Sequence, residues 1–324
     1  LVAGALAAGR YFAGDDPREA EIRALADSLY RRVDWAWMQL PSGILSFGWK
    51  PGEGRQGEGY RGYSEAMLLY LLALGSPTHP VGPEAWPAFT STYVWGDFHG
   101  QEHVNFVPLF GHQYAQVWLD LRGIRDAYMR ERGLDYFENS RRATLSQRTY
   151  AVANPGGWKG YGPDLWGLTA SDGPLAGEVE VEGRPRWFRT YWARGASHGW
   201  ANDDGTVAPT ALAGSIPFAP EATVPTLMAM RRRRGDLLFG RYGFLDALNP
   251  TLDFVPPVPL RHGRVVPGVG WFADDHLGID QGPIVAMIEN HRTGLIWKLL
   301  RDSPHVVRGL CRAGFEGGWL RGRC

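Results

Sequence analysis

Two carboxylic acids stand where a carboxyl can do chemistry. Glu65 lies in Gly62-Tyr-Ser-Glu-Ala-Met67, between a Gly/Tyr loop and an apolar run. Asp280 lies in Gly278-Ile-Asp-Gln-Gly-Pro283, again where a loop passes into an apolar stretch, Ile284-Val-Ala-Met-Ile288. A carboxyl flanked by aromatics and sheltered from water has a raised pKa, as a general acid requires. Two such groups suit cleavage of a glycosidic bond. One protonates the leaving oxygen, and the other activates water or attacks the anomeric carbon. For Glu65 a second reading stands beside this one, because a carboxylate in a first helical turn also serves the helix dipole.

Further acidic residues fall inside Gly- and aromatic-rich segments. Asp34, between aromatics in Val33-Asp-Trp-Ala-Trp37, is a buried hydrogen bonder or a sugar contact. Asp204, in Asp203-Asp204-Gly205, is a turn residue or a sugar contact. Glu102 and Asp172 are loop candidates, and Asp274 and Asp275 lie close to Trp271. Asp97, His99 and His103 have no spacing that points to a metal site. No metal and no cofactor is expected.

Composition narrows the chemistry. The 324 residues carry 34 basic and 34 acidic side chains, and a zero balance argues against nucleic acid and against an anionic membrane surface. Glycine, at 43 residues, is roughly double the usual ~7%, and 23 prolines and 14 tryptophans accompany it. Many loops around flat aromatic surfaces suit sugar rings. Gly52-Glu-Gly-Arg-Gln-Gly57 matches a dinucleotide-loop pattern, but it follows Trp-Lys-Pro rather than a strand and carries Glu53 where phosphate would approach. No stretch is apolar enough to span a membrane. The two cysteines, Cys311 and Cys324, can pair with each other.

The elements that must position these residues read as helices. Periodicity and punctuation predict them over 1–12, 17–38, 64–74, 113–130, 134–153, 220–234 and 278–312, the last broken near Gly294. A short strand is expected over 44–49, and 154–215 is loop-dominated. No βαβ alternation is present. Helices joined by long loops point to an all-α helical toroid, with the loops building a cleft on one face.

Seven segments carry a resemblance. Gly62-Tyr-Ser-Glu-Ala-Met67, Ser76-Pro-Thr-His-Pro80, Pro108-Leu-Phe-Gly-His-Gln-Tyr114, Asn154-Pro-Gly-Gly-Trp-Lys-Gly-Tyr-Gly162, Trp166-Gly-Leu-Thr-Ala-Ser171, Tyr242-Gly-Phe-Leu-Asp-Ala247 and Ile279-Asp-Gln-Gly-Pro-Ile-Val-Ala-Met-Ile-Glu-Asn290 resemble, in order, the bacterial glucoamylase-like domain family. That family includes β-1,2-glucan hydrolases and domains of cyclic β-1,2-glucan synthases. The resemblance implies an (α/α)6 toroid forming one domain over 1–324, and a monomeric periplasmic or secreted hydrolase acting on an oligo- or polysaccharide. It places Glu65 as general acid and Asp280 as the second essential carboxylate, the base or a group that positions base or water. Trp49, Tyr60, Tyr63, Trp158, Tyr161 and Trp166 are then expected to stack on sugar rings. His112, Gln113 and Gln281 are expected to bond hydroxyls, with Asp34, Asp172 and Asp204 as further contacts. The family's Asp-Asn-Gly-Gly-Asp-type stretch is not in this chain, which starts as if inside the following helix; the expectation is a toroid lacking its first helices. Transglycosylation and non-catalytic glycan binding are the rival functions.

Overall fold

A computed structural model describes all 324 residues. It is helix-rich, with 41% of residues helical, but it is not all-α. Seven small antiparallel sheets accompany the helices. The chain divides into two compact units, 1–94 with 114–139 and 293–324, and 95–113 with 140–292. No helix is long and apolar enough to cross a membrane.

In the first unit, Val2–Tyr11 packs on Pro17–Arg31. Pro17 occupies the first helical turn, where its missing N–H costs nothing, and Asp16 caps the Arg18 amide at 2.8 Å. The predicted helix 17–38 stops at Arg31 and resumes as the single turn Trp35–Met38. Asp34 causes the restart: its Oδ1 accepts from the Trp37 amide at 2.9 Å, the competition with the backbone that makes Asp a capping residue. The predicted helix 113–130 is likewise two helices, Phe110–Trp118 and Ala127–Arg132, because Asp126 caps the second through the Met129 amide.

Met67–Gly75 packs closely against Pro304–Arg312. A Cβ on Gly309 would lie 2.0 Å from the Leu71 carbonyl oxygen, and one on Gly75 would lie 2.1 Å from that of His305. The helices meet backbone to backbone, and only glycine permits it. Gly309→Ala must push them apart, an overpacking cost of about 2 kcal/mol. The urea midpoint should fall accordingly, and an unchanged midpoint would mean that the contact yields freely. Cys311, in the same helix, is disulfide-bonded to Cys324.

The second unit holds Pro209–Ala213, Pro220–Arg234 and Gly278–Arg292 among short strands. Pro220–Arg234 has its predicted bounds, and the break at Gly294, in left-handed conformation with φ 69°, ends the long helical stretch as expected. The segment read as loop, 154–215, contains six strands. The clearest pair is Gly177–Val181 with Arg184–Phe188, in register from Gly177 opposite Phe188 to Val181 opposite Arg184. Val179, Val181 and Phe188 are buried in one cluster with Leu175, Ala247, Leu252 and Trp271, while Glu178 and Glu180 face solvent. The turn uses Glu182 and Gly183, both at positive φ. A three-stranded sheet orders Leu248–Asn249, Gly270–Phe272 and Arg264–Val266 with Gly270–Phe272 in the middle. The Gly52–Gly57 run spans the turn and second strand of the hairpin Gly48–Lys50/Gly54–Gln56, not a strand-to-helix loop.

Candidate active site

Glu65 stands just ahead of Met67–Gly75, in the turn before the Ala66 N-cap rather than in the first helical turn the sequence suggested, because the helix starts three residues later than predicted. Its loop is pinned by Tyr70. The Tyr70 hydroxyl accepts from the Leu45 amide at 2.8 Å and donates to the Tyr60 carbonyl at 2.6 Å. Tyr60 N donates in turn to Leu45 O at 2.8 Å. Ser64 Oγ accepts from the Ala66 amide at 3.3 Å, so the helix start has its own polar partner beside Glu65. The Glu65 carboxyl is largely enclosed. Its Oε2 is buried and takes no hydrogen bond, and burial raises the pKa above the usual carboxylate range. The half-buried Tyr60 phenol is raised by its own burial and by the Glu65 charge, which places the two side chains as neighbours.

Behind this loop Tyr63 is buried, stacked on Tyr136 with ring centroids 5.9 Å apart and edge-on to Tyr93 at 5.5 Å. Its faces belong to packing, not to an open stacking surface. Tyr136 donates to Asp126 Oδ2 at 2.8 Å, and Trp86 Nε1 donates to the same oxygen at 2.9 Å. Trp49 is exposed on its hairpin, edge-on to Trp37 at 6.4 Å, and keeps a free aromatic surface. Asp34 is exposed and occupied as a cap, where the sequence suggested a buried residue.

In the second unit Asp280 lies in the first turn of Gly278–Arg292 and is 3% exposed. It faces Asp246, 2% exposed, within hydrogen-bonding reach. Asp246 sits between the strands Gly243–Phe244 and Leu248–Asn249. Its amide donates to the Asp275 carbonyl at 3.1 Å, and its Oδ2 accepts from the Asp172 amide at 2.6 Å. Gln281 Nε2 donates to the Phe244 carbonyl at 2.8 Å and ties the helix start to the same segment. Burial lifts both carboxyls far above the usual range. Two buried carboxylates side by side cannot both be charged cheaply, so the loss of one proton hinders the loss of the other.

Asp172 is buried beside them, and burial raises its carboxyl too. Tyr191, half exposed, holds its phenol proton more firmly, first because of its partial burial and then because of the charges of Asp280, Asp246 and Asp172. Three carboxyls and a phenol thus gather at one place, a set that can accept from sugar hydroxyls and exchange protons with them. Asp172, His262 and Asp275 place one potential ligand atom each within 4.8 Å of one another. Asp275 is exposed, and we assign this trio no ion.

Other residues expected at the site are committed elsewhere. Asp204 is fully buried against Arg194 in a two-pronged ion pair, Nε to Oδ1 at 2.7 Å and Nη2 to Oδ2 at 2.8 Å. Gln113 donates to the Ala211 carbonyl at 2.8 Å and to Ser215 Oγ at 2.7 Å, inside the core. Trp166 is fully buried and donates to Thr226 Oγ1 at 3.0 Å. Trp158 is buried, with the Arg186 guanidinium 4.3 Å from its ring centroid. His112 is buried beside the Phe106 carbonyl at 3.2 Å, and desolvation pushes its pKa down to about 3, so it is neutral. The half-buried Tyr161 donates to Asp203 at 2.8 Å, which Tyr150 also reaches at 3.0 Å. These residues shape the unit rather than offering free surface to a ligand.

Residues 59–304 match the glycoamylase family, described as "Putative glucoamylase". The chain is 30% identical to an exo β-1,2-glucooligosaccharide sophorohydrolase (non-reducing end) of Parabacteroides distasonis, over 96% of this chain and 42% of that protein. It therefore spans less than half the length of that curated relative. Its structure is similar to the endo-β-1,2-glucanase of Chitinophaga pinensis, solved as a sophorotriose and glucose complex. There the TM-score is 0.81 at 31% identity, covering 98% of this chain and 70% of that one. A β-1,2-glucanase of Parabacteroides distasonis gives a TM-score of 0.79 at 28% identity, covering 97% and 44%. With three quarters of its residues matched by the family model and a relative at 30% identity over nearly its whole length, the chain belongs to the glycoamylase family.

Proposed function

We propose that the protein hydrolyses a β-1,2-linked glucan. Glu65 acts as proton donor to the leaving oxygen, and Asp280 is the carboxylate that takes up the proton of water or positions the water. The observation that carries the substrate is the 31% identity over 98% of the chain to an endo-β-1,2-glucanase. The roles are supported by the two carboxyls themselves: each is sheltered, each sits at the start of an apolar helix, and each has a buried oxygen with no partner. Tyr60, Tyr191, Asp172 and Gln281 are the neighbours we assign to sugar hydroxyls, and Trp49 offers a face for a ring. In this reading the chain is one catalytic domain with an (α/α)6 toroid, supported by its helix content and by TM-scores near 0.8. It works as a monomer, outside the cytosol, where the Cys311–Cys324 disulfide would persist.

The test is product analysis after incubation with β-1,2-glucan, β-1,3-glucan and starch. Release of sophorose or short sophoro-oligosaccharides from the first substrate alone supports the proposal. Cleavage of starch but not of β-1,2-glucan overturns the substrate. Products longer than the substrate, or cyclic ones, replace hydrolysis with transglycosylation.

A further inference from the structure

We propose that Asp246 is a positioning residue: it stays a neutral carboxylic acid and donates a hydrogen bond to Asp280, holding Asp280 ionised and fixed in direction. This rests on the reading of Asp280 as the proton-accepting carboxylate.

The geometry leaves one arrangement that satisfies the pair. Both side chains are almost completely buried, at 2% and 3% exposure, and face each other. Asp246 Oδ2 is spent on the Asp172 amide at 2.6 Å. Asp246 Oδ1 and Asp280 Oδ2 are buried, and no N–H or O–H of the protein reaches either. With no external donor, the contact between the carboxyls is attractive only if one carries a proton. The carboxyl with its second oxygen already fixed by an amide, Asp246, can carry it on Oδ1 and aim it at Asp280. The groups facing Asp246 are Asp280 on the helix and Asp172 behind the bonded amide, both of which disfavour a second negative charge, and Tyr191 on its loop, whose phenol stays protonated beside them. Asp274 and Asp275 add to this around Asp172, while the Arg194 guanidinium and the His262 ring bear on Asp172 in the opposite direction.

Ionised Asp280 then has one charge-assisted hydrogen bond that offsets its burial. Removing the donor leaves burial unopposed, and Asp280 protonates at higher pH. An asparagine at position 246 copies the neutral acid: its Oδ1 takes the Asp172 amide, and its Nδ2 donates to Asp280.

The experiment uses the full chain and two variants, Asp246→Asn and Asp246→Ala, with two readouts. Infrared difference spectra at neutral pH, without substrate, should show a protonated carboxyl in wild type that Asp246→Asn lacks. With β-1,2-glucan as substrate, the acid limb of the kcat/KM–pH profile should rise by about one pH unit in Asp246→Ala. Asp246→Asn should keep the limb near the wild-type position, with kcat at least about tenfold above the alanine variant. Equal behaviour of the two variants overturns the proposal, as does the absence of a protonated carboxyl that depends on Asp246. If wild type shows no turnover of the glucan, the functional reading fails, and the infrared result still decides the protonation of Asp246.

Discussion

Glu65→Gln should abolish most glucan hydrolysis while leaving the protein folded. Glutamine has the shape of the protonated acid and can occupy the same enclosed position, but it has no proton to give to a departing oxygen. General-acid assistance is worth about 10²–10⁴-fold, and the loss should fall on kcat with KM little changed. The fold has no reason to suffer. Tyr70 and Ser64 hold the loop and helix start through their own bonds, and Glu65 Oε2 makes none. The sign of the stability effect follows from the direction of the shift. Burial raises the folded-state pKa of Glu65, so its favourable contribution to wild-type stability is present at low pH and is lost as pH rises through the raised value. The glutamine variant lacks this dependence and should equal or exceed wild type at alkaline pH. A β-sophoroside with an activated aryl leaving group, which departs without a proton, should be cleaved by Glu65→Gln far better than the glucan. Near-wild-type turnover of the glucan would remove Glu65 from the role.

Junctions were legible in the sequence, and burial was not. Glu65 and Asp280 were visible because each stands where a Gly-rich loop passes into an apolar helix, a place that shelters a carboxyl as well as serving the helix dipole. The structure finds both sheltered at such starts. Aromatic and amide residues misled for a physical reason. A tryptophan in a Gly-rich loop serves a core as well as a sugar ring, and Trp166 and Trp158 went to the core. Gln113 was spent on a carbonyl and a hydroxyl that would otherwise be orphaned in the interior. Asp246 was in view inside Tyr242-Gly-Phe-Leu-Asp-Ala247, but nothing local marks it. Its character comes from Asp280 and Asp172, far away in sequence. The hairpin 177–188 had a readable signal, since Val179 and Val181 alternate with glutamates before Glu182-Gly183, yet the surrounding glycines and prolines hid it.

Asp204 exemplifies a residue whose type permits one role and whose surroundings impose another, and its replacement should be the most destabilising change in the second unit. The Arg194 and Asp204 side chains are 0% and 1% exposed. Besides the two-pronged pair, Asp204 accepts from the Arg189 amide at 3.0 Å and the Thr206 amide at 3.2 Å. Arg194 spends its remaining donors on the carbonyls of Ser171, Arg189 and Thr190 at 2.8–3.1 Å. Four segments of the chain thus close around one ion pair, in a stretch with little regular structure of its own. Asp204→Ala leaves a guanidinium uncompensated in a dry interior, a loss of about 3–5 kcal/mol, and orphans two amides as well. Soluble yield and the urea midpoint should both collapse. The double variant Arg194→Met/Asp204→Leu should recover part of that loss, because the expensive species is the lone buried charge and not the missing attraction. If Asp204 contacted sugar instead, its alanine variant would fold normally and raise KM, a result that would return it to the binding residues. The distinction matters for the site. The Arg194 bonds to the Ser171 and Asp172 carbonyls fix the segment whose amide holds Asp246, so the buried pair supports the carboxyl cluster through the backbone alone.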